Sequence, residues 1–304
     1  MTTSLLSKYN NEKEFATRHN GPTLPQQDKM LSAINADDIE ELIAQTVPKD
    51  IRPEKPMPLE PALSEAHLLA QLKTISKQNK LNKSYIGQGY YNTETPNVVL
   101  RNVFENPGWY TAYTPYQPEI SQGRLESLLN YQQMIMDLTA MEVANASLLD
   151  EATAAAEAMS LCKRAGKNKS NTFFVADDCH PQTIDVVRTR AEFFGFELIV
   201  KPMSELDSLD VFGALVQYPN TTGNIVDLSA LIYQAHAKKT LIVVASDLLS
   251  LTLLKAPGEM DADVVIGNTQ RFGVPIGFGG PHAAFMATRD KFKRTMPGRI
   301  IGVS

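Results

Sequence analysis

The sequence predicts an α/β protein: a mostly parallel, seven-stranded sheet with helices on both faces, preceded by a helical N-terminal extension. Three observations carry that expectation. After Met141, short apolar runs alternate regularly with helical stretches, the order that builds parallel strands joined by crossover helices. The runs are almost wholly apolar rather than alternating, as strands buried on both faces must be. Before residue 84, apolar residues recur instead at helical spacing.

The elements follow in order. Residues 1–27 are polar and aperiodic, an expected loose arm. Met30, Leu31 and Ile34 begin a helical period, and Asp37 is the expected N-cap of IEELIAQTV. Prolines 48, 53, 56, 58 and 61 stop that helix and make a stiff linker. Ser64 then caps a helix with Leu68, Leu69, Leu72 and Ile75 on one face. Residues 1–83 are thus an arm and helical extension.

Residues 84–140 form a second region. Residues 84–119 hold six tyrosines, the single tryptophan and four prolines, too turn-rich for a helix and too rich in hydroxyls to satisfy inside one core. An interface or site wall suits tyrosine and tryptophan better. A long helix follows from residue 120, with Leu125, Leu128, Leu129 and Met136 inward. Residues 141–304 then give strands within 142–149, 171–178, 197–202, 212–219, 241–247, 262–268 and 282–290, with helices within 150–166, 181–195 and 228–239.

Bulk properties narrow the partners. The net charge is −5 with no basic block, which argues against nucleic acid. No apolar run approaches the roughly 20 residues of a membrane helix, and the N-terminus lacks the pattern of a secretion signal. Cys162 and Cys179, the only cysteines, make neither a disulfide framework nor a zinc site. A cytoplasmic location is the default.

In such sheets the functional residues collect at the C-terminal ends of the strands. The first strand runs through Ser147 to Asp150 and Glu151, with no glycine-rich cradle; both carboxylates read as partners of a helix dipole rather than as a phosphate site. The second ends in Asp177-Asp178-Cys179-His180-Pro181. His180 is a polar cap, a base or a ring-stacking residue, and Cys179 a buried thiol. The fourth ends in the polar turn 217–223. The fifth ends at Asp247, which is either an N-cap or, in a pyridoxal phosphate enzyme, the partner of the pyridine nitrogen. The sixth leads into NTQRFGVPIGFGGPH, residues 268–282. A pyridoxal enzyme needs a primary amine there, and the chain offers Gln270 and Arg271, neither able to condense with a carbonyl. Lys255 is the nearest substitute amine.

Several stretches bear a family likeness. FATRHNGP, ENPGWYTAYTPYQPEISQGRLESLLNYQ, NASLLDEATAAAEAM, HPQTIDVVRTRA, NTQRFGVPIGFGGPHAAF and PGRIIGVS together resemble the glycine cleavage system P-protein family, from about residue 15 onward. The resemblance implies a fold-type I pyridoxal phosphate architecture and an N-terminal half that breaks off before its small C-terminal domain. An exposed apolar surface and poor solubility in isolation would follow.

Further expectations rest on the same resemblance. Gln270 falls where the family's other half has its Schiff-base lysine, Asp247 on the pyridine-nitrogen aspartate and His180 near the cofactor-stacking histidine. No catalytic residue is then expected in this half, and pyridoxal phosphate belongs to the C-terminal half, whether fused or separate. The complete enzyme would take glycine, release carbon dioxide and pass the aminomethyl group to the lipoyl arm of H-protein, as a dimer of two-half units. Tyr113, Tyr116 and Glu119, with Asn92 and Thr93 behind them, are the candidates for the edge of the other half's site. The alternative is a scaffold that steadies the catalytic half and docks H-protein.

Overall fold

The computed structural model describes His19 and residues 21–53, 55–110, 116–277 and 282–302. The chain divides into two compact units, Met1–Lys83 and Ser84–Ser304.

The first unit holds three helices among the described residues: α1 (Leu24–Ala33), α2 (Ile39–Thr46) and α3 (Glu65–Ser76). At the start of α1 the Gln26 side chain reaches back, its Oε1 accepting from the Thr23 N–H at 2.7 Å and from the Thr23 hydroxyl at 2.9 Å. The cap of α2 is Asp38, whose carboxylate accepts from the Glu41 amide at 2.8 Å. Asp37, the cap expected from the sequence, instead has its backbone N–H taken by the Glu41 carboxylate at 2.6 Å. The two aspartates thus divide the work of starting the helix. Ser64 caps α3 as expected. Leu68, Leu69, Leu72 and Ile75 lie on the surface of their unit.

The second unit contains the sheet. Its strands are β1 (Val143–Ala144), β2 (Thr172–Ala176), β3 (Glu197–Lys201), β4 (Gly213–Tyr218), β5 (Leu241–Ser246), β6 (Val264–Asn268) and β7 (Ala284–Thr288). The spatial order is β1-β7-β6-β5-β4-β2-β3. All neighbouring pairs from β3 through β6 are parallel, and only β7 runs against its neighbours. Every residue of β4 is buried, which requires cover on both faces. The α/β architecture expected from the sequence is therefore present.

Four longer helices accompany the sheet: α4 (Gln122–Thr139), α5 (Glu151–Ala165), α6 (Pro181–Phe194) and α7 (Ser229–Ala237). On α5, Ala154, Ala155, Ala156 and Ala158 are wholly buried. Side chains this small let the helix lie close over the central strands. Helix α4 buries Gln132, Ile135 and Thr139 most deeply. The expected Leu125, Leu128, Leu129 and Met136 are half-buried. They share the core-facing stripe, but the deepest positions include an amide. Gln132 is accommodated there by its own hydrogen bonds: its side chain donates to the Ile301 carbonyl at 2.9 Å and accepts from the Ile301 N–H at 2.8 Å.

The first strand is shorter than 142–149. After Ala144 the Asn145 side chain accepts from the Met286 N–H at 3.0 Å, and the Ala146 N–H turns to the Arg299 carbonyl. A polar side chain thus takes over from the ladder and bends the chain away. One bridge, Leu148 to Ala284, restores contact.

Residues 84–110 carry no strand. They pass over the C-terminal ends of the parallel strands, fastened by hydrogen bonds from Thr93 Oγ1 to the Val274 carbonyl at 2.8 Å, from Thr95 Oγ1 to the Gly273 carbonyl at 2.5 Å, and from Gln182 to the Gln88 carbonyl. The Arg124 guanidinium of α4 holds the carbonyls of Gly108 and Trp109.

Candidate functional site

The parallel arrangement of β2, β4, β5 and β6 brings their C-terminal ends to one edge. His180, Asp247 and Gln270, far apart in sequence, line a single hollow there, joined by Glu151, Gln217 and Arg271.

His180 stands at the start of α6, just before the proline that opens it, but its side chain makes no capping hydrogen bond. It is buried, and its Nδ1 lies 2.9 Å from Thr221 Oγ1. Gly89 packs on the ring: a Cβ at that position would sit 3.0 Å from the imidazole, and its φ of +83° favours glycine as well. Burial pushes the histidine pKa down to about 4, against the opposing pull of Asp247. The ring is neutral near pH 7.

Asp247 follows β5 and is engaged on both oxygens. Arg271 donates from Nε to Oδ1 and from Nη2 to Oδ2, each at 3.0 Å, the paired geometry that guanidinium and carboxylate favour. Oδ1 also accepts from the Leu249 N–H at 3.1 Å, so the cap reading of this aspartate is realised in part. The guanidinium carbon lies 4.0 Å from the centre of the Tyr91 ring, a cation–π stack from the aromatic segment.

Gln270 begins the short turn after β6 and is 1% exposed. Its backbone N–H meets Asn268 Oδ1. Its side-chain Nε2 has no partner among the described residues.

The carboxylates before α5 separate into two roles. Asp150 caps the helix, accepting from the Thr153 N–H at 2.7 Å. Glu151, expected to be a second dipole partner, turns into the hollow instead. Its Oε2 accepts from Asn268 Nδ2 at 2.6 Å, and its Oε1 is buried without a partner among the described residues. The residue as a whole is half-buried, while this end of the carboxyl is out of water. Burial pushes its pKa up to about 7, with Asn268 and Gln217 opposing and the charges of Asp247 and Asp150 adding. The dipole argument cannot locate this side chain; only the third dimension sets it facing Asn268.

The edge candidates are distributed differently. Tyr113 lies outside the described residues. Tyr116 is 73% exposed with the Arg299 guanidinium 5.5 Å from its ring centre. Glu119 is exposed, and neither it, Asn92 nor Tyr116 lines the hollow. Thr93 braces the loop after β6 through Val274. Lys255 is exposed and near Ser229 Oγ, away from the hollow. Cys162 and Cys179 are buried free thiols whose pKa burial pushes well up, so both are inert. Among the described residues no cluster suits a metal ion and no helix is long and apolar enough to cross a membrane.

Comparison with known proteins decides the family. The model for the glycine cleavage system P-protein matches residues 17–304. The chain belongs to the glycine cleavage system P-protein family. Among P-protein relatives, glycine dehydrogenase (decarboxylating) of Photobacterium profundum is 72% identical over 301 residues, and that of Psychromonas ingrahamii is 72% identical over 302. Each match covers 99% of this chain and 31% of the relative, so the chain spans less than a third of their length. A crystal structure of a P-protein, a glycine decarboxylase in inhibitor-bound form, superposes with a TM-score of 0.84 at 36% identity, covering 93% of this chain and 65% of that one.

Proposed function

We propose that this chain is a non-catalytic part of a glycine dehydrogenase (decarboxylating) and that its own strand-end residues do not take pyridoxal phosphate. The Arg271–Asp247 pair is the observation that carries this reading. An aspartate serving a pyridine nitrogen needs a free oxygen facing an open space. Here both oxygens face a guanidinium already stacked on Tyr91. The remaining room supports the same view. The hollow against Asp247 and Gln270 measures about 10 Å³, room for one water, while the larger adjoining cavity of about 220 Å³ lies toward Asp150, Glu151 and His282, away from both residues. Gln270 presents an amide where the cofactor needs an amine, and the buried carboxyl of Glu151 would oppose a phosphate.

In the complete enzyme, pyridoxal phosphate then sits in the other half, where glycine loses carbon dioxide and the aminomethyl group passes to the lipoyl arm of H-protein. This chain contributes structure and, through residues 90–119, an edge for that neighbouring site. Tyr113, Tyr116 and Glu119 are the residues for such a contact. The large exposure of Tyr116 supports a role facing outward rather than toward the chain's own hollow. That exposure serves a purely scaffolding role equally well.

Both readings are tested with the complementary remainder of the enzyme. The chain alone, mixed with pyridoxal phosphate, should show no visible band and no borohydride-fixed label, while co-expression with the remainder should yield glycine–bicarbonate exchange. A label mapped to a lysine of this chain would overturn the proposal. Exchange unaffected by both Tyr113→Phe and Tyr116→Phe would leave only the scaffold.

A further inference from the structure

A second cluster of titratable groups stands at the opposite edge of the sheet, where the parallel strands begin. Asp263 leads into β6 and is 2% exposed. Its Oδ2 accepts from the Ile242 N–H of β5 at 2.9 Å and lies 2.7 Å from His236 Nε2 of α7. The Thr288 hydroxyl, at the end of β7, donates to the Asp263 carbonyl at 2.8 Å. One aspartate thus fastens α7 to three strands. On the other side of the ring, His236 Nδ1 lies 3.5 Å from Asp261 Oδ2, an ion-pair distance. Asp261 follows the short turn Pro257–Met260 in the left-handed region, at φ +70°. Arg289 Nη2 donates to its Oδ1 at 3.3 Å.

The two sides of the histidine differ in kind. A carboxylate only accepts hydrogen bonds, so Nε2 keeps its hydrogen toward Asp263 in both the charged and the neutral ring. The nitrogen that titrates is then Nδ1, which faces Asp261. With a proton there, opposite charges meet across the 3.5 Å gap; without it, a lone pair faces a carboxylate. The cations nearby oppose that proton. Lys291 Nζ lies 3.7 Å from Asp263 Oδ1, and Lys291, Lys167 and Lys239 line one cavity of about 250 Å³ with His236. The aspartates prevail: the Asp263 hydrogen bond raises the histidine pKa above 6.5 against burial, the charges of Asp263 and Asp261 add to the rise, and Lys291 subtracts from it.

We propose that His236 is a pH-sensitive latch between α7 and the turn before β6: Asp263 holds the ring in both states, and Asp261 closes on it only while Nδ1 carries a proton. Loss of that proton loosens the last turn of α7 and the loop to β5, while the strand-end hollow at the far edge stays as it is. A group that binds its proton more tightly in the folded state stabilises that state fully below its unfolded value of 6.5. The contribution is lost as pH rises through the higher folded value, so the latch opens on the alkaline side of 6.5. The device is independent of where the enzyme keeps its cofactor.

Hydrogen exchange of the complete enzyme, followed by mass spectrometry, tests both halves of the proposal. Exchange at the imidazole C2 position reports the His236 midpoint, and amide exchange across residues 235–241 reports the latch. The midpoint should lie above 6.5. Once the intrinsic pH dependence is removed, those amides should exchange at least about threefold faster above the midpoint than below it, while the amides of β4 keep their protection. Asp261→Asn retains an acceptor for Arg289 and a residue tolerant of the left-handed backbone, and its amide can donate to a neutral Nδ1. This variant should lower the midpoint and abolish the pH-dependent acceleration. His236→Gln, which can still donate to Asp263 but does not titrate, should show no pH-dependent step. A midpoint at or below 6.5, an unchanged midpoint in Asp261→Asn, or an acceleration that is absent from the parent or persists in His236→Gln would each overturn the latch.

Discussion

Arg271 holds Asp247 with two parallel hydrogen bonds of 3.0 Å while stacking on Tyr91 at 4.0 Å. The three residues come from the loop after β6, the end of β5 and the aromatic segment, so this contact ties the covering segment to the sheet edge. Both charged side chains are mostly buried, at 16% and 22% exposure. Removing one partner leaves the other charge poorly solvated. Arg271→Ala should therefore lower unfolding stability by about 2–3 kcal/mol, less than a fully buried pair would lose. Adding Asp247→Ala to Arg271→Ala should recover part of that loss, a coupling that a double-mutant cycle in denaturant measures directly. Simple additivity would show that the pair does not hold the edge.

Two titrating groups at the same edge oppose each other. The Glu151 carboxyl is raised from 4.5 to about 7 in the folded protein. Its stabilising contribution is complete below pH 4.5 and is lost as pH rises through 7. The His180 ring is lowered from 6.5 to about 4. Its contribution is present above pH 6.5 and is lost as pH falls toward 4. Between pH 4.5 and 6.5 the folded state gains roughly one proton at Glu151 and lacks roughly one at His180, so the two slopes largely cancel. Each single variant should expose the other slope. In Glu151→Gln stability should climb with pH across this window, and in His180→Gln it should fall, each by about 1–1.4 kcal/mol per pH unit. Denaturant midpoints at about pH 5, 6 and 7 check this; parallel curves for both variants and the parent protein would refute it.

The Gln132 clamp on Ile301 makes a local prediction. Gln132→Leu roughly keeps the volume of the buried position but leaves the N–H and C=O of Ile301 without these partners. The cost should be about 2–3 kcal/mol, the usual result of orphaning two buried groups. Hydrogen exchange at the Ile301 amide should accelerate by at least about tenfold while the amides of β4 and β5 keep their protection. Uniform acceleration throughout the sheet would mean that the substitution acts globally.

These residues also show what a one-dimensional reading reaches. The strands are legible because β4 and β5 are almost wholly apolar runs, which suit a sheet covered on both faces. The strand-end rule then names His180, Asp247 and Gln270, and all three line one hollow. Arg271 stands in plain view beside Gln270, but its partner lies 24 residues earlier, on the neighbouring strand's end. Strand order is what makes them neighbours, and apolar runs do not encode order. Glu151 escapes the dipole argument, which treats the first turn of a helix as a ring of equivalent positions. In the fold Asp150 caps the helix N–H groups while Glu151 points to Asn268. Gln132 is hidden for a related reason: an amide on a core stripe looks like an interruption until its backbone partner is visible.

The sharpest prediction concerns Gln270→Lys. If the missing amine were the only obstacle, this single change would let the chain capture pyridoxal phosphate. The surroundings argue otherwise. The new ammonium would enter a hollow of about 10 Å³ beside the Glu151 carboxyl, which would pair with it and keep it protonated, the state that cannot attack a carbonyl. Asp247 would still be held by Arg271. Gln270→Lys should therefore give no visible band with pyridoxal phosphate and no borohydride-fixed label at position 270, while circular dichroism reports an intact fold. Its effect should appear at Glu151 instead, as a carboxylate that stays ionised well below about pH 7. A label at position 270 of this variant would show that the edge residues are permissive and that the amide alone keeps the cofactor out.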